Sequence, residues 1–401
     1  MPERLHSFKK ELEAELEDIL AYWMKYDTDE QFGGFTGRVD QFNNADLYAD
    51  KGSVLNSRIL WTFSAAYHRT KNIVYLQYAA RAYHYFINHF IDKKYGGVYW
   101  SVNYKGDPAD KKKQVYAQSF AVYALSEFFL ASGLAAAKQH AIELFEVIEQ
   151  YSFDKIKGGY IDAFAEAWTN MQDMSLSAKD ANEKKTMNTH LHILEAYTSL
   201  YRIWSSEIVA AKIRGILQNF FEHIIDRESY HLVLFFDENW NRKSNIVSYG
   251  HDIEASWLLQ EAAEVICEKE LIDLSKKLAV KMADAAWQGL DTDGGLWYEY
   301  EPEENHLIKE KHWWPQAEAM VGFFNAWQVS GQEMYLQSSL NSWEFTKKHI
   351  RDRQFGEWVW GIHADYSIMQ GQDKIGIWKC PYHNGRACIE IIKRIEETQK
   401  R

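Results

Sequence analysis

Three histidines occupy positions from which an imidazole could move protons. His192 lies in the string MNTHLHILE, four residues after Asn188, so both side chains share one face of a helix. His251 lies in SYGHDIEASW, with Glu254 three residues further on, and His383 lies in CPYHNGRAC. Histidine suits proton transfer near neutral pH, because its ordinary pKa is about 6.5. These segments are therefore the first candidates for a reactive site.

Each of these imidazoles has competing interpretations. A hydrogen-bonded structural role is open for any one of them, and His190 is expected to point to a different helix face from His192. A zinc site is a second alternative, since His190 and His192, or His251 and Glu254, offer ligands. The HExxH motif and the cysteine clusters that often bind zinc are absent. In the third interpretation, two histidines face each other across a sugar, and one removes a proton while the other returns one.

Acidic residues keep glycoside hydrolysis open as well. A glycosidase places two carboxyl groups about 5 to 9.5 Å apart across the bond that it cleaves. Acidic side chains are plentiful in the turn-rich segments of this chain, at Asp162, Asp180, Asp237, Asp293 and Glu299. Acyl transfer and nucleotide chemistry have no support, because a GxSxG elbow, a P-loop and a GxGxxG motif after a strand are missing.

Composition excludes several classes of partner. The 401 residues include 45 basic and 57 acidic side chains, a formal charge of −12, which argues against nucleic acid and anionic membrane surfaces. No run of eighteen apolar residues is present, and the N-terminal segment lacks the apolar core of a secretory signal. Three scattered cysteines, Cys267, Cys380 and Cys388, fit a reducing compartment, so we expect a cytoplasmic protein. The 16 tryptophans suit a sugar-binding cleft as well as a core.

The elements that must position these residues follow a repeat. Short Gly-aromatic segments such as FGGF, YGGVYW, KGGYID and DGGLWYEY recur at intervals of about sixty residues. The positions that mark the repeat are Gly33, Gly96, Gly158, His231, Gly294 and Gly356. Six units of this length fill the chain, and this periodicity is typical of stacked or closed repeat architectures.

Each repeat unit reads as two helices and a short aromatic hairpin. Only five prolines occur, which leaves long stretches free to be helical. Apolar spacing predicts twelve helices, over 8–23, 53–70, 74–90, 115–133, 135–150, 187–204, 206–225, 250–266, 270–287, 317–331, 334–350 and 383–400. We therefore predict a single all-α domain over 1–401, with six helical hairpins in a closed toroid and one helix of each pair inside. An open α-solenoid has the same periodicity, but the small and aromatic residues of the inner helices favour the closed ring.

Several strings together resemble the cellobiose 2-epimerase family, within the wider group of N-acylglucosamine 2-epimerases. The strings are RILWTFSAAY, MNTHLHILEAYT, SYGHDIEASWLL, WWPQAEAMVGFFNA and KCPYHNGRACIEIIKR, and the resemblance covers about residues 8 to 397. It implies an (α/α)6 barrel, with short β-hairpins and long loops at the active-site end. It also implies interconversion of glucose and mannose at the reducing end of β-1,4-linked disaccharides such as cellobiose, lactose and mannobiose. No metal or organic cofactor is expected.

The resemblance assigns roles to ten residues of this chain. The expected catalytic set comprises the acid/base pair His251 and His383, the third histidine His192, the arginine Arg58 and the carboxylate Glu254. The expected substrate-binding set comprises the polar residues Tyr116, Asn188 and Asp180 and the aromatic platforms Trp314 and Trp378. Of these, Asp180 is matched on the weakest sequence context, because the segment 170–184 contains no strong motif.

The implied reaction begins with opening of the reducing-end pyranose. We expect His383 and His251 to act at O5 and O1, with help from His192 at O1. One histidine then removes the C2 proton, Arg58 stabilises the enediolate, and protonation on the opposite face inverts the carbon. Glu254 is expected to orient His251 and raise its basicity. Which histidine serves which face of C2 stays open.

Four alternatives to a disaccharide 2-epimerase stay open from the sequence. The scaffold could carry an aldose–ketose isomerase, an N-acylglucosamine 2-epimerase or a glycosidase, which would differ in product. It could also be a catalytically silent glycan-binding toroid, although the intact set of candidate catalytic residues argues against that. The expected partner is a small disaccharide substrate, and the expected assembly is a monomer or a weak homodimer.

Overall fold

The computed structural model describes residues 2–400. Within this range twelve α-helices make up most of the chain: α1 (Pro2–Tyr26), α2 (Ser53–Thr70), α3 (Ile73–His89), α4 (Val115–Ser132), α5 (Ala135–Tyr151), α6 (Met187–Ile203), α7 (Glu207–Asn219), α8 (Tyr249–Val265), α9 (Lys269–Trp287), α10 (Trp313–Ser330), α11 (Glu333–Phe345) and α12 (Tyr382–Lys400). Two of the outer helices, α7 and α11, continue into single π-helical turns at Phe220–Ile224 and Thr346–Ile350. Among the helices that the structure describes, we find no candidate membrane-spanning segment.

Six of the helices form a closed inner ring. In order around the ring these are α2, α4, α6, α8, α10 and α12, and each packs against the next. Helix α12 packs against both α10 and α2, which closes the circle, so the fold is an (α/α)6 barrel and not an open solenoid. Five pairs are consecutive in the chain, whereas the sixth joins α12 to α1, the two ends of the sequence.

Burial explains which helix of each pair lies inside. Every residue of the inner helix α4 from Val115 to Ser126 is buried. The outer helix α5 buries only a stripe at helical spacing, formed by Ala137, Ala141, Leu144, Phe145 and Ile148. A helix that is apolar nearly all round must be covered on every side, and only the inner ring provides that cover.

Short antiparallel strands tie the repeat units together. Their bounds are β1 (Arg38–Val39), β2 (Ala45–Asp46), β3 (Lys51–Gly52), β4 (Ser101–Val102), β5 (Lys113–Gln114), β6 (Ala163–Phe164), β7 (Lys185–Thr186), β8 (Phe235–Phe236), β9 (Val247–Ser248), β10 (Glu299–Glu301), β11 (His306–Ile308), β12 (Lys311–His312) and β13 (Gly361–Ile362). The strand that precedes each of α2, α4, α6, α8 and α10 pairs with a strand of the following unit, as in β3 with β4. These connections gather at the end of the barrel where the inner helices begin.

A buried ion pair recurs at this end of the barrel. Lys113 Nζ lies 2.6 Å from Asp92 Oδ2, and both side chains are fully buried. Equivalent pairs join Lys51 to Asp29, Lys185 to Asp154, Lys311 to Asp291 and Lys374 to Asp352. Each lysine crosses from the strand region to the Gly-aromatic turn, so the repeated glycine motifs and the repeated lysines belong to one structural unit.

The fourth repeat unit departs from this pattern. Val247 stands where the other units have the lysine of the strand, and the turn places Tyr230 at a φ of +63° where its counterparts have glycine. Here His231 Nδ1 lies 2.7 Å from Asp252 Oδ2, and Asp252 Oδ1 accepts a bond from the Leu232 amide. The carboxylate of this turn, Asp226, binds Arg242 at 3.2 Å, and a separate histidine–carboxylate pair lies beside the start of α8.

Candidate active site

One cavity of about 460 Å³ opens where the inner helices begin. Its wall contains all ten residues that the sequence singled out: Arg58, Tyr116, Asp180, Asn188, His192, His251, Glu254, Trp314, Trp378 and His383. They come from all six inner helices and two loops, and residues far apart in the chain therefore share one chamber.

Arg58 lies on α2 and is almost completely buried. Its Nη2 donates to the Tyr116 hydroxyl at 2.7 Å, and its guanidinium carbon lies 4.1 Å from the ring centre of Phe120 and 4.8 Å from that of Tyr382. Aromatic faces stabilise a cation at such distances. A permanently protonated group is thus held rigidly at the cavity wall, where it can meet a developing negative charge.

His192 and His383 are each backed by a carboxylate. His192 Nδ1 lies 2.9 Å from Glu195 Oε2, one turn along α6, and His383 Nδ1 lies 2.7 Å from Glu318 Oε1 on α10. A carboxylate accepts, so Nδ1 carries the hydrogen and Nε2 presents its lone pair to the cavity. Burial lowers the pKa of both imidazoles, most strongly at His383, where Arg58 and Arg386 add to the effect. Both rings are therefore neutral at neutral pH.

His251 has a different partner. Its Nδ1 lies 2.8 Å from the Ser248 hydroxyl, which can either donate or accept, so this ring is free to exchange tautomers. Burial lowers the pKa of His251 to about 3. The ring centre lies 4.7 Å from that of Trp314, and the His383 ring lies 5.7 Å from the same indole. Trp314 thus lies against both histidines of the expected acid/base pair.

Glu254 does not orient His251, contrary to the sequence expectation. Its Oε1 instead accepts from Arg386 Nη2 at 2.7 Å and lies 3.9 Å from His383 Nδ1. The i, i+3 spacing brings both residues to the cavity, but the buried guanidinium attracts the carboxylate away from the imidazole. Burial, followed by repulsion from Glu318, raises the pKa of Glu254 to about 8.

The remaining residues that the sequence singled out lie on the cavity wall around the three histidines. Asn188 lies on the wall with its side-chain Oδ1 buried and without a hydrogen-bond partner, so it is available to a sugar hydroxyl. Asp180 lies in the loop before β7, where it accepts a bond from the Ser177 hydroxyl at 2.7 Å. Trp378 packs against Trp100, with the ring centres 5.7 Å apart. The wall therefore combines polar atoms with exposed indole surface, as sugar sites do.

His190 has the structural role that its spacing suggested. Its Nε2 accepts from the Tyr160 amide at 2.9 Å, and its Nδ1 lies 2.7 Å from the Thr186 carbonyl oxygen. Both ring nitrogens are thus occupied within the barrel wall. The two-histidine zinc ligand set that included His190 is therefore not assembled.

Of the acidic residues that kept hydrolysis open, two reach the cavity. Asp180 and Glu299 line it, and burial raises the pKa of Glu299 to about 7. Asp162 is instead buried under α6, where its carboxylate accepts from Thr186 and Thr189. Asp293 pairs with Lys311 outside the cavity, and Asp237 accepts from Asn241 in a surface turn.

Sequence reasoning missed the residues behind the histidines. Glu195, Glu318, Arg386 and Ser248 hold His192, His383, Glu254 and His251 by direct hydrogen bonds. A signal for one of them was present, since Glu195 follows His192 at the same i, i+3 spacing that drew attention to Glu254 after His251.

One trio in this region could bind a metal ion by geometry alone. Ligand atoms of Glu254, Glu318 and His383 lie within 4.8 Å of one another. Arg386 Nη2, however, donates to both Glu254 Oε1 and Glu318 Oε1, at 2.7 and 2.6 Å. The position between these two carboxylates is therefore already taken by a protein cation.

Comparison with known proteins relates the whole chain to sugar epimerases. The sequence profile of the N-acylglucosamine 2-epimerase (GlcNAc 2-epimerase) family matches residues 33–385. Cellobiose 2-epimerase of Bacteroides fragilis is 49% identical over 385 residues, 96% of this chain and 98% of that protein. Cellobiose 2-epimerase of Ruminococcus albus is 40% identical over 390 residues, 96% of this chain and 98% of that protein. A crystal structure of a sugar epimerase from a ruminal bacterium superposes with a TM-score of 0.93 at 39% identity, over 96% of this chain and 99% of that one.

Proposed function

The chain belongs to the N-acylglucosamine 2-epimerase family of epimerases, and from that premise we propose that it is a disaccharide epimerase that inverts C2 of the reducing-end sugar. The observation that carries the proposal is the convergence of His192, His251 and His383 on one cavity. Each ring makes its protein hydrogen bond through Nδ1, which leaves Nε2 for the substrate. Relatives named cellobiose 2-epimerase at 49% and 40% identity support cellobiose as a substrate.

Ring opening is the first step of the proposed reaction. A base removes the proton of O1–H while an acid protonates O5, and the pyranose becomes an open-chain aldehyde. His383, with Nε2 unprotonated, is suited to accept a proton, and Glu318 stabilises the imidazolium that forms. His251 can present Nε2–H because Ser248 is able to donate to its Nδ1, and Glu254, whose pKa burial raises, is a further titratable group in the same cavity.

Epimerisation follows at the carbon next to the aldehyde. An imidazole removes the C2 proton, and the electron pair moves into an enediolate whose negative charge lies on O1 and O2. Arg58, with Nη2 anchored on Tyr116, supplies the fixed positive charge. Delivery of a proton from the opposite face of the planar C2 then gives the epimer, and the pair His251 and His383 against Trp314 is suited to serve the two faces.

The cavity wall also fits a second sugar ring. At about 460 Å³ the cavity falls within the range of small-molecule sites, and Trp314, Trp360 and Trp378 offer apolar faces for pyranose rings. Asn188 and Asp180 provide polar atoms for hydroxyl groups. Loose stacking on indoles is compatible with several β-1,4-linked disaccharides, so cellobiose, lactose and mannobiose are all proposed substrates.

One incubation series tests the proposal. Purified protein is incubated separately with cellobiose, lactose, mannobiose and N-acetylglucosamine, with and without EDTA, and products are identified by NMR. We expect products epimerised at C2 from the disaccharides, unaffected by EDTA. A fructose-ended product would favour the aldose–ketose isomerase, free monosaccharide a glycosidase, and N-acetylmannosamine an N-acylglucosamine 2-epimerase. Loss of activity in EDTA with recovery in zinc would establish the metal alternative, and binding without any product would establish a silent lectin.

A further inference from the structure

One arginine lies directly behind the reactive cavity. Arg386, on α12, is only 1% exposed, and its two terminal nitrogens are shared among four partners. Nη2 donates to Glu254 Oε1 at 2.7 Å and to Glu318 Oε1 at 2.6 Å. Nη1 donates to Glu195 Oε1 and also contacts the Tyr382 hydroxyl. A single side chain thus binds carboxylates that belong to three different inner helices, α6, α8 and α10.

Two of these carboxylates continue to the histidines. Glu195 uses one oxygen for Arg386 and the other for His192 Nδ1, at 2.9 Å. Glu318 Oε1 receives both Arg386 and His383 Nδ1, the latter at 2.7 Å. Two short hydrogen-bonded chains therefore start from one guanidinium and end on two imidazoles that face the cavity.

The direction of these bonds fixes the protonation of the rings. A guanidinium only donates, and its positive charge favours the ionised forms of Glu195 and Glu318, which can then only accept from their histidines. We infer that Arg386 is the positioning residue of this site, which holds Glu195 and Glu318 so that His192 and His383 are both fixed as Nδ1–H tautomers with Nε2 free. The inference deepens the proposed epimerase function and rests on it only where activity is the readout.

The charges around Arg386 indicate why the position needs a planar cation. The groups that face this network come from every inner helix: Arg58 on α2, Tyr116 on α4, His192 and Glu195 on α6, His251 and Glu254 on α8, Glu318 on α10, and Tyr382 and His383 on α12. Buried carboxylates without a partner are strongly destabilising, and a guanidinium can bind three of them at once in its plane. A lysine would keep the charge but could not keep this geometry.

A purely structural role is the competing explanation. The Arg386 guanidinium carbon lies 4.3 Å from the ring centre of Tyr382 and 4.9 Å from that of Trp257, so the side chain also packs the barrel core. Both explanations predict that removal of the side chain lowers stability. The two explanations differ in whether a charge-preserving replacement, Arg386→Lys, changes the tautomers of His192 and His383.

The first test compares Arg386→Lys with a matched control, Arg202→Lys. Arg202 donates to Glu261 at 2.6 Å near the C-terminal ends of the inner helices α6 and α8, whereas the cavity lies where the inner helices begin. We expect R386K to lower kcat about 10- to 100-fold, as large as the effect of removing a group that orients a metal-binding histidine, with KM nearly unchanged. R202K is expected to keep wild-type kinetics. Wild-type kcat in a folded R386K, or an effect confined to KM, would overturn the inference.

The second test reads the tautomers directly and needs no substrate. Histidine labelled with ¹⁵N distinguishes Nδ1–H from Nε2–H rings by NMR, and the signals are assigned by the loss of each in His192→Asn and His383→Asn. We expect Nδ1–H for both rings in the wild-type protein and a mixture in R386K. Glu195→Gln changes only the hydrogen-bonded chain that ends on His192. It should therefore alter the tautomer of His192 and leave the tautomer of His383 unchanged. This variant keeps the inference testable if R386K does not fold.

The outcomes separate the inference from the proposed function. Altered tautomers in R386K together with an inactive wild-type protein on every sugar would support the positioning role and reject the epimerase. Unchanged tautomers in R386K and E195Q, or Nε2–H rings in the wild-type protein, would reject the positioning role whatever the activity.

Discussion

At the residue scale, the site is defined by what lies behind each imidazole. His192 and His383 are backed by carboxylates, which fix one tautomer and stabilise the charged ring, whereas His251 is backed by the hydroxyl of Ser248. Three neutral imidazoles in one cavity are uncommon in a structural core, because each buried ring nitrogen needs a partner. Their Nε2 atoms are left for the substrate of the proposed reaction.

Loss of either histidine of the expected pair should abolish turnover. Replacement by asparagine, in His251→Asn and His383→Asn, removes the proton-transfer group, which is worth about 10²- to 10⁴-fold in rate. Steady-state kinetics on cellobiose, with circular dichroism to check the fold, measures the effect. His140, on the outer helix α5, serves as the control, and H140N should behave like the wild type. Substantial activity in a folded H383N would contradict the assignment.

The pH dependence of kcat/KM should differ from that of an ordinary histidine enzyme. An imidazole base works when unprotonated, so activity falls as the pH drops through its pKa in the free enzyme. Burial lowers the pKa of His251 to about 3 and also lowers the pKa of His383. The fall in activity on the acidic side of the pH profile is therefore shifted to lower pH. We expect kcat/KM to stay level from pH 7.5 down through 6.5, the ordinary histidine value, in buffers where the fold is intact. An acidic limb centred at or above that value would show that the bases are not buried as described.

At the element scale, the start of each inner helix decides what reaches the cavity. In α8 the second residue is Gly250, and a Cβ built there would lie 2.6 Å from the Trp314 ring. Glycine is therefore needed for close approach of α8 to the indole that contacts both His251 and His383. The packing of the start of α8 against Trp314 therefore depends on the absence of a side chain at Gly250.

Gly250→Ala should consequently damage catalysis. The added methyl must displace Trp314, so we expect a rise in KM and a fall in kcat, with a destabilisation of about 1 to 3 kcal/mol from overpacking. Gly215→Ala is the matched control, because Gly215 lies in the exposed face of α7 with no atom within 4 Å of the added Cβ. That variant should gain up to about 1 kcal/mol of stability from helix propensity and keep its activity. Equal effects of the two substitutions would show that close packing of Gly250 against Trp314 is not required.

The helices were predictable from the sequence, but the contacts between inner helices were not, for a physical reason. The spacing predicts helices over 187–204 and 250–266, and the structure has Met187–Ile203 and Tyr249–Val265. The sequence does not predict the contact of Arg386 with Glu195 and Glu318. An inner helix is buried all round, so its periodicity does not reveal which side faces which neighbour. The same ambiguity explains why Glu254 was matched to His251 within its own helix.

At the scale of the whole molecule, the barrel is closed by its two chain ends and linked by repeated buried ion pairs. The order of elements alone left an open solenoid possible, because the pairing of α1 with α12 spans the entire sequence. Glycine motifs mark five of the six units in the sequence, but the lysines that bind the turns of those five units become visible only in the structure. Lys113 and Asp92 are the most deeply buried of these pairs.

Breaking one such pair should destabilise the whole barrel. Lys113→Met leaves Asp92 buried and uncompensated, which is expected to cost about 3 to 5 kcal/mol in the free energy of unfolding. Chemical denaturation measures the change. Lys111→Met is the control two residues away, at an exposed lysine, and should stay within about 0.5 kcal/mol of the wild type. A K113M protein as stable as K111M would show that the repeated pairs do not hold the units together.

Deuterium incorporation during turnover in D2O tests the central claim most directly. If imidazoles remove hydrogen from C2 and return it from the other side through a planar intermediate, mannose-ended product formed from cellobiose must contain solvent deuterium at C2. Mass spectrometry and proton NMR of the product detect it within one experiment. We predict deuterium at that carbon in the epimerised product, and product that retains all of its original hydrogen there would contradict the account.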